Sequence, residues 1–158
     1  MRRGKTRTLA VLKEPYWQID GDGLDTTAFF RALPHHFPDV TSLYIEGCSI
    51  APNIESCYLR HAEPGPFLPE VGTIHPPSKK LRCAFSKALC EELAKLSEHA
   101  AEPEFGDHLH LFRGGEEILC WYDAFAHDLW LSSHLPEQSA KAFASVFGRS
   151  YEWVKEHS

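Results

Sequence analysis

The chain has 158 residues, 43% hydrophobic and 24% charged, a balance that fits one domain with a full-sized core and excludes a disordered, collagenous or fibrous protein. Its formal net charge of −6 averages two unlike parts: Arg2, Arg3, Lys5 and Arg7 hold four of the 16 basic residues, and without them residues 8–158 carry −10. An acidic body repels phosphate backbones, so nucleic acid is a disfavoured partner and a basic protein or a cation a favoured one.

Residues 1–7 are expected to form a flexible basic leader and residues 8–158 a single α+β domain. A secretory signal needs roughly 7–15 apolar residues after its basic start, whereas only Leu9, Ala10, Val11 and Leu12 precede Lys13 here. No run approaches the ~20 apolar residues of a membrane span, so neither export nor membrane insertion is expected. Cys48, Cys57, Cys83, Cys90 and Cys120 form an odd set without a C-x-x-C pair, which argues against a disulfide framework and a multi-thiolate zinc site. Reduced, mostly buried thiols in a cytoplasmic protein are the expectation.

In chain order, residues 9–12 suit a short strand that 16–19 extends or pairs with, before Asp20-Gly21-Asp22-Gly23 forces a turn. Those carboxylates resemble a calcium loop only superficially, because the twelve-residue pattern and its terminal Glu are missing. Asp25 caps a helix over 26–33, with Phe29, Phe30 and Leu33 on one side, which Pro34 and Pro38 stop. A strand is expected over 41–46 and a short helix over 52–59. Prolines make 62–78 an irregular loop, of the kind that often carries binding. After a strand over 80–85, Ser86 caps a helix whose Leu89, Leu93, Leu96 and Ala100 form a stripe. Strands over 107–113 and 116–124 are joined by Gly114-Gly115, and a third follows over 128–132. A last helix begins at Pro136, carries Ala140, Phe143, Ala144 and Phe147 on one face, and ends at Gly148. The class is α+β: a mainly antiparallel sheet with a hairpin and meander in its C-terminal half and three to four helices packed on it.

With Gly114 and Gly115 as the two loop residues, Leu111 faces Ile118 and Leu109 faces Cys120 on the core side. The second side then pairs His108 with Trp121, His110 with Leu119, and Phe112 with Glu117. Trp, Phe and two His resemble interface anchors more than a solvated sheet face, unless the last helix or the tail (Tyr151, Trp153, Val154) covers them. His108 and His110 also lie on one side of a strand about 6.6–7 Å apart along it, a spacing at which two metal ligands converge. His127, Asp123, Asp128 and His134 are the available third ligands.

No G-x-S-x-G, H-E-x-x-H or phosphate-binding glycine loop is present, so no nucleophile, metalloprotease or nucleotide cofactor is implied. The leading expectation is a non-enzymatic acidic protein-binding module without a cofactor, an immunity- or antitoxin-like inhibitor of a basic effector being its most concrete form. Its binding residues are His108, His110, Phe112, Glu117, Trp121, Asp123, Asp128 and Trp130. One alternative is a small metal-dependent hydrolase with a His/carboxylate site on His108 and His110, completed by a carboxylate or His from 123–134 such as His127; another is a homo-oligomeric structural subunit that buries the same aromatic face in a second copy.

Overall fold

A computed structural model describes residues 15–69 and 78–155, without the side chains of 102 and 103. The basic leader, the expected strand over 9–12 and residues 70–77 of the irregular loop lie outside the described residues. The elements are β1 (Tyr16–Ile19), α1 (Thr26–His36), β2 (Ser42–Gly47), α2 (Pro52–Arg60), β3 (Lys79–Ala84), α3 (Lys87–Leu96), β4 (His108–Arg113), β5 (Glu116–Tyr122), β6 (Leu129–Ser132), α4 (Glu137–Val146) and β7 (Tyr151–Val154), with single 3-10 turns at Ser97–His99 and Glu102–Phe105. The strands form one antiparallel sheet in the order β3-β2-β4-β5-β6-β1-β7. With four helices beside it, the class is α+β. No described helix is long and apolar enough to cross a membrane.

Local chemistry fixes the helix ends. The Asp25 carboxylate accepts from the Thr27 amide, and the Ser86 hydroxyl accepts from the Leu89 amide, which satisfies donors that a helix start leaves orphaned. At Gly148, φ is +65°, the left-handed conformation that closes α4. One expectation fails here: α1 does not stop at Pro34 but runs to His36. In the final turn the missing proline N–H removes a single bond, and the Phe37 amide still reaches the Leu33 carbonyl at 2.9 Å.

All four helices feed one apolar core. Phe29, Phe30 and Leu33 of α1, Ile54 of α2, Leu89 and Leu93 of α3, and Phe143 of α4 pack on Ile19, Leu43, Ile45, Leu109, Leu111, Leu119, Leu129 and Leu131 of the sheet. The described part of the tail joins the sheet: Tyr151–Val154 is an edge strand hydrogen-bonded to β1, Val154 packs against Tyr16 and Cys120, and the Trp153 ring is tilted against Trp17 with centroids 4.5 Å apart.

The hairpin carries the main correction. Phe112 faces Glu117 and Arg113 faces Glu116, as the loop predicts, but from Leu111 onward the register slips by one: Leu111 faces Leu119, His110 faces Cys120, Leu109 faces Trp121 and His108 faces Tyr122. The irregularity is a bulge in β5, one extra residue that turns the remainder of the strand over. Ile118 and Leu119 therefore both join the core. Trp121 goes with them: it is 0% exposed, packs on Phe29 and Phe125, and is no part of the second face. Its expected place there is taken by Cys120 and Tyr122.

Candidate functional site

The face of the sheet away from the helices is aromatic and polar. Tyr16, Tyr44, Phe112, Tyr122 and Trp130 form a discontinuous layer, with Tyr16 and Trp130 at 4.7 Å, Tyr44 and Phe112 at 4.9 Å, and Tyr122 and Trp130 at 6.4 Å between ring centroids. Phe67, from the described part of the irregular loop, lies edge-on to Tyr44, and Arg82 sits over the same ring. Glu63 of that loop binds Ser42 and Arg82.

Of the residues expected to present an open face here, His108, His110, Phe112 and Glu117 are at most 7% exposed. They are interior groups of this face rather than an open surface. His110 Nδ1 lies 2.5 Å from a Glu117 carboxylate oxygen. One donor atom from each of His110, Glu117 and Cys120 falls within 4.8 Å of the others. Burial, and then the Glu117 charge, push the Cys120 thiol far above its ordinary range, while a Tyr122 hydrogen bond acts the other way. The Tyr122 ring stands edge-on between His108 and His110, at 4.8 and 5.3 Å. Two buried polar atoms on this face have no hydrogen-bond partner: His110 Nε2 and the hydroxyl of Tyr44, its cross-strand neighbour.

His108 is held differently. Its Nδ1 is 2.9 Å from the Asp107 carbonyl oxygen and 3.1 Å from the Asp123 amide nitrogen; a single ring nitrogen donates to the first or accepts from the second, and either bond ties the ring to the strand end. Burial lowers its pKa against the pull of Asp123 and Glu46. His127 is exposed and lies 3.7 Å from the Asp123 carboxylate. The expected His108, His110 and His127 metal set is therefore not a cluster among the described residues. His134 is likewise taken, by Glu116.

Asp123, Asp128 and Trp130, the remaining expected residues, do meet. With Gln18, Tyr122 and His127 they line an open cleft of about 290 Å³, at the end of β5 where the chain turns into β6. The Trp130 indole donates to the Gln18 side-chain oxygen at 3.2 Å. Although exposed, the Asp128 carboxyl is held above its ordinary range by local desolvation and then by Asp20, Glu152 and Asp22, so negative potential is concentrated at the cleft. Arg149 offsets part of it through the Asp22 carbonyl at 2.8 Å and the Asp20 carboxylate at 3.3 Å.

The turn that forms the cleft wall is strained and clamped. Asp123 and Phe125 have φ of +50° and +69°, a region that costs a bulky side chain about 1–3 kcal/mol and persists only where the surroundings impose it. The clamp comes from the core side: Trp121 Nε1 donates to the His127 carbonyl at 2.7 Å, and the Gly23 amide donates to the Phe125 carbonyl at 2.8 Å. Gly21 lets the two segments touch, since a Cβ there would lie 2.5 Å from the His127 carbonyl oxygen and 2.8 Å from the Trp121 ring. Gly21→Ala is expected to cost about 1–3 kcal/mol by overpacking. Gly23→Ala meets only its own positive φ in open space and is expected to cost about 1 kcal/mol. Urea midpoints compare the two, and an equal or reversed order refutes the clamp. The Asp-Gly repeat is thus a close-packing device, with its Asp20 carboxylate accepting from the Asp22 amide.

No family model, curated protein or solved structure matches this chain. Sequence reasoning missed Gln18, Tyr44, Cys120 and Tyr122; the last two became visible only with the bulge, although their alternation with Leu119 and Trp121 was a period-2 signal in the correct phase.

Proposed function

We propose that the protein is a non-enzymatic binding module that receives a cationic side chain of a basic protein partner in the cleft between Trp130, Tyr122, Asp123 and Asp128. Inhibition of a basic effector, as an immunity protein or antitoxin would achieve it, is the concrete form of this reading. The observation that carries it is the union of aromatic faces and crowded carboxylates at one open cleft. A guanidinium or ammonium over an aromatic face gains about 0.5–2 kcal/mol depending on desolvation, and surrounding carboxylates speed encounter with a positive surface. At about 290 Å³ the cleft is at the small end of ligand pockets, suited to one long side chain rather than to an extended substrate.

Calorimetric titration with an oligo-arginine peptide, against an oligo-serine peptide of equal length, tests the proposal. The arginine peptide is expected to bind, and to bind more weakly as salt rises. Trp130→Ala should weaken it by about 1–2 kcal/mol and Asp128→Asn by on the order of 0.5–1 kcal/mol. Equal binding of the two peptides, or wild-type affinity in both variants, overturns the reading.

Asp128→Asn carries a second expected signature. A carboxyl whose folded pKa is raised favours the fold only when protonated, so its ionised form destabilises the native state, fully so once pH has passed the folded value. The variant should therefore be more stable than wild type at pH 7, by on the order of a few tenths of a kcal/mol for so exposed a group, and melt at a correspondingly higher temperature. The difference should vanish as pH falls below the ordinary aspartate range. Thermal melts across that range measure it, and a variant less stable at pH 7 refutes the crowding of charge.

A further inference from the structure

We propose that His110, Glu117 and Cys120 form a zinc site beneath the aromatic layer. Their donor atoms lie within 4.8 Å of one another, whereas two ligands of a tetrahedral zinc are about 3.4–3.8 Å apart at normal bond lengths. The widest separation closes, and the 2.5 Å contact between His110 and Glu117 opens, by about 1 Å each, within the reach of side-chain torsions on fixed strands. An imidazole, a thiolate and a carboxylate make a borderline-soft N, S and O set, which suits zinc and excludes calcium or magnesium. The charges close as well. A neutral imidazole with two anions balances a divalent cation, so the buried complex is neutral, and each bound zinc displaces the thiol proton.

What singles this cluster out is burial without a competing cation: His110, Glu117 and Cys120 are at most 4% exposed, and Glu117 pairs with the His110 ring rather than with a permanent cation. Three protein donors leave zinc a fourth position for a water. The other Cys, His and Glu group, Cys57 with His61 and Glu92, lacks these features. There His61 and Glu92 are only partly buried, and Glu92 is already held by the Arg60 guanidinium. Cobalt is the spectroscopic probe for zinc, because a Co²⁺ bound by Cys shows a thiolate-to-metal charge-transfer band and intense tetrahedral d–d bands.

The test titrates Co²⁺ into the full-length protein after chelation, and then displaces it with Zn²⁺. One equivalent with the charge-transfer band is expected, and the band should persist in Cys48→Ser, Cys57→Ser, Cys83→Ser and Cys90→Ser but be lost in Cys120→Ser. Glu117→Gln and His110→Asn should each weaken Zn²⁺ binding. If Cys120→Ser does not fold, persistence of the band in the other four variants still assigns the thiolate. Absence of stoichiometric Co²⁺ or of the band in wild type overturns the site. So does loss of the band in Cys57→Ser, which would move the metal to the α2 and α3 cluster, or in Cys48→Ser, which would make it an exposed-thiol artefact.

Discussion

Trp121→Ala should lose about 3–5 kcal/mol of stability, a large part of the ~5–15 kcal/mol that holds a domain of this size together. The ring is 0% exposed and packs at 4.8 Å on Phe29 and 4.5 Å on Phe125. Truncation opens a cavity at the junction of α1 and the sheet, and also removes the bond from Nε1 to the His127 carbonyl. That bond helps to hold Phe125 at a positive φ, so its loss lets the 123–127 turn relax and the cleft wall with it. Trp121→Phe keeps much of the packing and should cost less, about 1–3 kcal/mol, chiefly through the unpaired carbonyl. Urea unfolding at unchanged m-value reads both. A Trp121→Ala protein as stable as wild type that fails to bind oligo-arginine would instead return Trp121 to the surface.

The role of Trp121 marks the boundary of what the sequence reveals. The stripe Leu89, Leu93 and Leu96 behind Ser86, and Ala140, Phe143 and Ala144 before Gly148, specify α3 and α4 because helical period and end signals agree. Gly114 and Gly115 likewise specify the hairpin and its first two pairs. The bulge is hidden because Ile118, Leu119, Cys120, Trp121 and Tyr122 are all apolar or aromatic, so either phase of alternation reads equally well. One inserted residue then exchanges Trp121 for Cys120 and Tyr122, and with it an expected binding surface for a buried titratable cluster. Sheet order is hidden for another reason: β1 lies between β6 and β7, and pairings across more than a hundred residues leave no local trace. The short edge strand Tyr151–Val154 was legible in principle from its alternation, but four residues are too few to distinguish a strand from a tail. Asp123, Asp128 and Trp130 keep their places along one cleft because turn carboxylates beside a strand aromatic stay near the surface in either phase.

The His110 and Glu117 pair should show strong non-additivity. Glu117→Leu alone strands a buried imidazole beside an apolar group and is expected to cost about 3–5 kcal/mol, as is His110→Leu, which strands a buried carboxylate. The double replacement removes both polar groups, and with them the orphaned Nε2, from a site whose surroundings are Phe112, Tyr44 and Tyr122. In chelated protein the double variant should recover most of the loss, and reach or exceed wild type, because an apolar pair of similar volume avoids the desolvation of a buried polar pair. A cycle of urea midpoints gives the coupling directly; additive losses would mean that the pair does not act as a unit. Zinc separates the structural role from the metal-binding one. At a hundred times its dissociation constant, a ligand bound only by the native state adds about 2.7 kcal/mol, so zinc should raise the midpoint of wild type and leave the double variant where it was. That outcome would mean that the pair weakens the metal-free fold relative to an apolar core and that the bound cation restores the difference.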